Sequence, residues 1–124
     1  MVADQSNIEK LIPHRAPFVM VDNLLSVNRE RFESDFVASA NNVMVSDGYF
    51  TEGGLMENIA QTCAASFGYL DSLQGGEPKI GFIGAISRVV VHKLPPHSMK
   101  INTVVESTHQ LGNIFMVNGR LKRP

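Results

Sequence analysis

The sequence lacks several features that mark common protein classes. Its 124 residues contain one cysteine, Cys63, so no intramolecular disulfide can form, and no tryptophan. Eleven basic against twelve acidic residues give a net charge of −1, without the cationic excess of a general nucleic-acid binder. No run approaches the roughly 20 apolar residues of a membrane-spanning helix, residues 1–10 show no signal-peptide pattern, and no His or Cys spacing predicts a metal site. These absences favour a protein of the reducing cytoplasm, with neither nucleic acid nor membrane as partner.

The chain does contain enough apolar material for one core. Hydrophobic residues make up 44% of it and charged residues 19%, which is typical of a folded globular protein. The length predicts a single domain over residues 1–124. A domain of this size buries only about two-thirds of the surface that its unfolded chain exposes, so association with a second copy would add to its stability.

Hydrophobic periodicity predicts one long helix among several strands. A short helix is predicted over residues 7–12, ended by Pro13, and residues 41–54 carry the breakers typical of a loop. Five strands with short connections are predicted, at residues 18–27, 31–38, 80–93, 99–109 and 114–121. This order favours an α+β fold, in which an antiparallel sheet packs around one central helix.

The long helix is predicted from an apolar stripe at helical spacing. Small or apolar residues recur at intervals of three and four over about five turns, at Met56, Ile59, Ala60, Cys63, Ala64, Phe67 and Leu70. The helix is predicted to end at residues 74–76, Gln-Gly-Gly. Because Cys63 lies on this stripe, packing is a better interpretation for it than nucleophilic catalysis.

A second face of the same helix carries candidate catalytic residues. Glu57 and Gln61 are four apart, so they lie on one side of the helix. If that side forms an apolar slot, burial would favour the protonated form of Glu57 and prepare it to transfer a proton. The alternative is a Glu57 placed by the helix dipole beside a solvated Gln61. The residues alone leave both interpretations open.

Gly53 and Gly54 come directly before the predicted helix. Glycines at that place let a ligand approach the free N–H groups at the positive end of a helix. Such a site suits a thioester carbonyl that gains negative charge during a reaction. A simple hinge between loop and helix is the alternative interpretation.

Three blocks of the sequence form a recognisable pattern. They are IEKLIPHRAPF at residues 8–18, LMENIAQT at residues 55–62 and GFIGAI at residues 81–86, and they span most of the chain in this order. The pattern resembles the β-hydroxyacyl-acyl-carrier-protein dehydratases of fatty acid synthesis. The resemblance implies the hotdog fold, a curved antiparallel sheet around one helix, in a homodimer or a higher oligomer of dimers whose protomers join their sheets side by side.

The resemblance also implies an activity and a set of site residues. The family removes water from a 3-hydroxyacyl thioester to give the trans-2-enoyl thioester. The acyl chain is carried on the phosphopantetheine of an acyl-carrier protein or of coenzyme A, and no other cofactor is implied. A His and a Glu or Asp from opposite subunits perform the reaction. The acid corresponds to Glu57, the Gln one turn later to Gln61, and the N–H groups that hold the carbonyl to about Gly53 and Gly54.

The sequence departs from the family pattern where the catalytic His is expected. The family has Gly-His-Phe-Pro ahead of the helix, whereas this chain has Gly-Tyr-Phe-Thr, so Tyr49 takes the place of the His. A phenol is a poor base at neutral pH. Glu57 itself, Tyr49 and His14 are therefore the candidates to take the α-proton, and a structural role is the alternative for His14. This shortened, His-less pattern resembles divergent dehydratase-like proteins of polyene-type lipid and pigment synthesis.

Other assignments stay open at this level. Phe18 and Phe82 are candidates to line an acyl channel, with ordinary core packing as the alternative. A hotdog thioesterase, in which Glu57 activates a water, is the second candidate function. A non-catalytic acyl-binding subunit, or one partner of a hetero-dimer with a His-bearing homologue, is the third.

Overall fold

An antiparallel sheet and one long helix dominate the computed structural model, which describes residues 1–75, 89–111 and 114–123. A short 3-10 helix (Ile8–Lys10) is followed by β1 (Asn23–Val27), β2 (Arg31–Val37), β3 (Val45–Ser46), β4 (Tyr49–Phe50), α1 (Glu52–Leu73), β5 (Lys100–Leu111) and β6 (Ile114–Lys122). In the described part of the chain, β1, β2, β5 and β6 form one sheet in that order, and β3 pairs with β4. All of these pairs are antiparallel. The expected sheet with one long helix is therefore confirmed.

Strand register decides which side chains meet the helix. Phe32 on β2 pairs with Val105 on β5, which pairs in turn with Gly119 on β6. Ser34 pairs with Thr103 two positions away on the same face. Helix α1 packs across this face of the sheet, against β1, β2 and β5. The sheet therefore offers the helix two buried hydroxyl groups as well as apolar side chains.

Polar and small residues are the most deeply buried part of α1, and the apolar stripe packs beside them, with the Phe67 ring centroid 5.2 Å from that of the Phe32 ring on β2. The buried residues of the helix are Gly54, Asn58, Gln61, Thr62, Ala65, Ser66 and Gly68, whereas the residues of the stripe are only half-buried. Hydrogen bonds across the interface explain this choice of face. For example, the hydroxyl oxygens of Ser34 and Thr62 are 2.8 Å apart, and both side chains are fully buried.

Helix α1 begins at Glu52, so Gly53 and Gly54 lie inside its first turn and not ahead of it as predicted. Thr51 is the N-cap, and its Oγ1 accepts a hydrogen bond from the Gly54 N–H at 3.3 Å. The Thr51 hydroxyl itself donates to the carbonyl oxygen of Met44 at 2.8 Å. A threonine cap with both roles at position 51 fixes the start of the helix at Glu52.

The other predicted elements are confirmed to different degrees. Strands β2, β5 and β6 match the predicted strands to within two residues at each end. The strand predicted from residue 18 begins only at Asn23, and the first helix is reduced to three residues of 3-10 helix. The helix α1 ends as predicted, with Gly75 at a φ of 78° after the C-cap.

Two predictions concern loops. The expected loop over residues 41–54 contains the β3–β4 ladder, which turns at Asp47 and Gly48, both with positive φ as a tight hairpin requires. Of the strand predicted at residues 80–93, residues 80–88 lie outside the described part, and residues 89–93 form no strand. Among the described residues, no helix is long and apolar enough to cross a membrane.

Candidate active site

The segment that precedes β1 is fastened to α1 by two side-chain amides. Gln61 Oε1 accepts a hydrogen bond from the Met20 N–H at 2.6 Å, and Gln61 Nε2 donates to the Phe18 carbonyl at 2.8 Å. Asn58 Nδ2 donates to the Met20 carbonyl at 2.6 Å. Asn58, Gln61 and Met20 are fully buried, so the interpretation of Gln61 as a solvated residue is wrong. Residues 18–20 are not a strand because helix side chains bind their backbone groups.

Glu57 lies one helical turn before Gln61 and shares its amide. Gln61 Nε2 donates to Glu57 Oε1 at 2.9 Å, and His14 Nε2 lies 3.5 Å from the same oxygen. The side chains of Glu57 and His14 are 34% and 33% exposed in the single chain, so the pair lies where buried and accessible regions meet. Of the two carboxyl oxygens, Oε2 is therefore the one without a hydrogen-bond partner among the described residues.

The backbone around His14 forms a closed turn. The Arg15 guanidinium donates to the carbonyls of Ile12 and His14 at 3.0 and 2.7 Å. His14 Nδ1 is buried and has no hydrogen-bond partner in the described structure. Nε2 is the ring nitrogen that faces Glu57 Oε1. A carboxylate oxygen can only accept, so a ring N–H is assigned to Nε2.

The two glycines at the start of α1 have different surroundings. A Cβ on Gly54 would lie 2.5–2.9 Å from ring atoms of Phe50, which is itself buried in the core. The Gly54 N–H is also occupied by the N-cap. Gly53 is exposed, and a Cβ there would meet nothing closer than Thr51 Oγ1 at 4.0 Å. The carbonyl-binding role stays a prediction for both glycines, and the Gly53 N–H is the more accessible of the two donors.

Tyr49 stands apart from the Glu57 group in the contacts that the structure describes. It lies on β4, its backbone pairs with Ser46 and bridges to Pro96, and 46% of the residue is exposed. No hydrogen bond among the described residues joins its hydroxyl to Glu57. Its catalytic role stays a prediction, whereas His14 and Gln61 are both next to the acid.

The remaining sequence candidates are distributed around this site. Phe18 is 58% exposed and contributes its carbonyl to Gln61, while its role in an acyl channel stays a prediction. Phe82 lies outside the described residues. Burial raises the pKa of the Cys63 thiol to about 12, so the thiol stays protonated at neutral pH and is a poor nucleophile.

Sequence reasoning missed Asn58, although a signal for it exists. Asparagine is disfavoured inside helices because its side chain competes for backbone hydrogen bonds. An Asn directly after Glu57 in an otherwise apolar stretch therefore indicates a specific partner. In the structure that partner is the backbone of Met20, 38 residues away.

Comparison with known proteins adds independent information. A family model described as "ApeP-like: ApeP dehydratase" matches residues 6–111. The 3-hydroxyacyl-[acyl-carrier-protein] dehydratase FabZ of Oceanobacillus iheyensis is 27% identical over 121 residues, which is 90% of this chain and 81% of that protein.

Solved structures show the fold. A chain of the dehydratase heterocomplex ApeI:P from Xenorhabdus doucetiae is similar with a TM-score of 0.83 and 15% identity, over 93% of this chain and 80% of that chain. Cj0977, a sigma28-regulated virulence protein from Campylobacter jejuni, is similar with a TM-score of 0.55 and 11% identity, over 95% of this chain and 87% of its own. The hotdog fold expected from the sequence is confirmed.

Proposed function

Because the chain belongs to the ApeP-like family of dehydratases, we propose that it removes water from 3-hydroxyacyl thioesters. The substrate class is inferred from the FabZ relative, whose name specifies a 3-hydroxyacyl group on an acyl-carrier protein. The observation that carries the proposal is the Glu57 carboxyl group, whose Oε1 accepts a hydrogen bond from Gln61 and lies 3.5 Å from His14 Nε2, while Oε2 has no hydrogen bond among the described residues. The phosphopantetheine arm of the carrier protein or of coenzyme A belongs to the substrate, and the scheme uses no cofactor of the protein's own.

Loss of water requires a base for the α-proton and an acid for the departing hydroxyl. We assign both roles to Glu57 Oε2. The carboxylate takes the proton from Cα, and the electron pair of that C–H bond moves into the thioester group, which places negative charge on the carbonyl oxygen as an enolate. The same proton then passes from Glu57 to the hydroxyl at Cβ, and the enolate electron pair forms the Cα–Cβ double bond as the C–O bond breaks and water leaves. Glu57 returns to its starting state, so the scheme balances without a second base at Tyr49.

Gln61 and His14 hold the carboxyl group in place during both transfers. Each directs a nitrogen at Oε1, which leaves Oε2 free of hydrogen bonds from the described residues and able to transfer the proton. The negative charge that develops on the thioester oxygen needs a donor, and the exposed Gly53 N–H at the positive end of α1 is suited to that role. Removing such a donor typically costs about 3 kcal/mol of transition-state stabilisation.

We further propose that an acyl-carrier protein or coenzyme A delivers the substrate, and that the substrate carries a fatty or polyene-type acyl chain. The basic assembly in this proposal is a homodimer. The similar ApeI:P assembly is a dehydratase heterocomplex, which supports a second arrangement with a different chain. In that arrangement the partner chain would supply a His base, and co-purification from the native cell would detect the partner.

Substitution of Glu57 by Gln tests the assignment in purified protein. We expect the hydration and dehydration of a 3-hydroxyacyl thioester, followed by enoyl absorbance, to slow by about 100- to 10,000-fold, the range of general acid–base catalysis. Glu52→Gln is the matched control, since Glu52 is an exposed acid at the first position of the same helix. Wild-type rates in Glu57→Gln would refute the role of Glu57.

Two further measurements separate the alternatives. A thiol-reactive dye reports release of free thiol, which a thioesterase produces and a dehydratase does not. His14→Gln should slow the reaction by about tenfold, because Gln61 still holds the carboxyl group. This loss is smaller than the one expected when an acid–base group is removed. A loss as complete as that of Glu57→Gln would instead identify His14 as the base.

A further inference from the structure

Thr103 and Asn58 form a buried hydrogen bond that links the sheet to the site. The Thr103 hydroxyl on β5 donates to Asn58 Oδ1 at 2.6 Å. Both residues are fully buried, so water cannot replace either partner. Asn58 in turn donates to the Met20 carbonyl, and thus the hydroxyl of a core strand determines how the amide of the helix is oriented.

The orientation of this amide follows from its two neighbours. The Met20 carbonyl can only accept, so Asn58 must present Nδ2 to it, which leaves Oδ1 facing the sheet. The Thr103 hydroxyl is the donor that satisfies Oδ1 there. Without that hydroxyl, Asn58 would keep a buried acceptor unpaired, and the arrangement with Nδ2 on Met20 would lose its stabilisation.

Met20 also connects Asn58 with Gln61, the residue that contacts Glu57. Its carbonyl is held by Asn58, while its N–H donates to Gln61 Oε1 at 2.6 Å. Gln61 then presents Nε2 to Glu57 Oε1 at 2.9 Å. Every hydrogen bond from Thr103 to Glu57 has its donor on the side of Thr103. The carbonyl and the N–H of Met20 belong to successive peptide groups, so the constraint passes through the position of the Met20 backbone.

We propose that Thr103 and Asn58 are positioning residues for the dehydration, which act through Met20 and Gln61 on the orientation of Glu57. This inference rests on the proposed function, since it assumes that Glu57 transfers protons. Neither residue reaches the substrate. Their removal is expected to lower kcat far more than it raises KM, because a displaced carboxyl group misses the reacting carbon while the acyl chain still binds.

Thr103→Val tests the proposal with little change of shape, and Thr103→Ser restores the hydroxyl. We expect kcat of Thr103→Val to fall by about 10- to 100-fold, as for small misplacements of catalytic groups, with KM changed by less than about threefold. Thr103→Ser should recover most of kcat. A second readout is amide hydrogen exchange of Met20, which should accelerate in Thr103→Val relative to a strand amide such as that of Val105.

Ser34→Ala is the matched control. Ser34 pairs with Thr103 in the β2–β5 ladder and is equally buried, but its hydroxyl contacts Thr62 and not Asn58. Loss of this hydroxyl should lower stability while leaving kcat and the relative exchange of Met20 unchanged. Equal losses of kcat in Ser34→Ala and Thr103→Val, or no rescue by Ser, would overturn the proposal.

The exchange measurement keeps this inference separate from the proposed function. If the wild-type protein acts on no 3-hydroxyacyl thioester, the dehydratase assignment fails for the isolated chain. Met20 exchange then tests by itself the hydrogen-bond path from Thr103 to Met20. Selective acceleration in Thr103→Val supports this path, and exchange equal to that of Ser34→Ala refutes it.

Discussion

Replacing Gln61 by Leu removes a single side chain that makes three hydrogen bonds from the helix. The Met20 N–H is fully buried, so it loses its acceptor without access to water, which costs about 1–3 kcal/mol. The other two partners are different, because Phe18 and Glu57 are partly exposed and can be hydrated. The free energy of unfolding should therefore fall by about 1–3 kcal/mol in total, with the Met20 N–H responsible for most of the change.

Urea unfolding followed by circular dichroism measures this difference. For a chain of this length the expected loss corresponds to a decrease in Tm of roughly 4 °C for each kcal/mol. Gln74→Leu is the control, since Gln74 is exposed at the end of α1 and its replacement should stay within about 0.5 kcal/mol of wild type. If Gln61→Leu were as stable as Gln74→Leu, the hydrogen bonds to residues 18–20 would not hold this segment on the helix.

Two further predictions concern stability. Gly54→Ala should lower the free energy of unfolding by about 1–3 kcal/mol, because the added Cβ would displace the buried Phe50 ring. Gly53→Ala should raise it by about 0.5–1 kcal/mol, because alanine favours the helix and its Cβ would lie in open space. Thermal unfolding of the two variants would contradict this if both Tm values shifted in the same direction. Burial is the main cause that raises the pKa of the Asp22 carboxyl above its ordinary value of 3.8, and nearby Asp35 adds to it. Ionisation of Asp22 therefore opposes folding, so stability relative to Asp22→Asn should decline as the pH rises above that value. Urea titrations in acid and at neutral pH measure this difference, and a difference that does not change with pH would refute it.

Local patterns in the sequence were sufficient for most of the architecture. The alternation of residue types over residues 31–38 predicted β2, because such a pattern depends only on neighbouring residues. The burial of Asn58 and Thr62 on α1 could not be predicted in that way, because their hydrogen-bond partners are hydroxyl groups on distant strands. Periodicity locates the apolar side of a helix, and the sheet here offers Ser34 and Thr103 to its polar side.

The candidate site was predictable in part for the same reason. The i, i+4 spacing placed Glu57 and Gln61 on one side of the helix, and their hydrogen bond is present. The approach of His14 to Glu57 joins residues that are far apart in the chain, and the Asn58–Thr103 bond spans 45 residues. Such pairs depend on how the segment before β1 lies across the helix, which no local pattern specifies.

The polar inner side of α1 has a consequence for recombining this domain with its relatives. A helix with a purely apolar face can slide or rotate by a fraction of a turn at modest cost. In contrast, α1 is held by directional hydrogen bonds to Ser34 and Thr103 of the sheet and to Met20 in the segment before β1. A chimaera that takes the helix from one homologue and the strands from another would leave some of these buried groups without a hydrogen-bond partner. Grafts should therefore transfer helix and strand residues as matched sets, even where the outer surfaces are freely exchangeable.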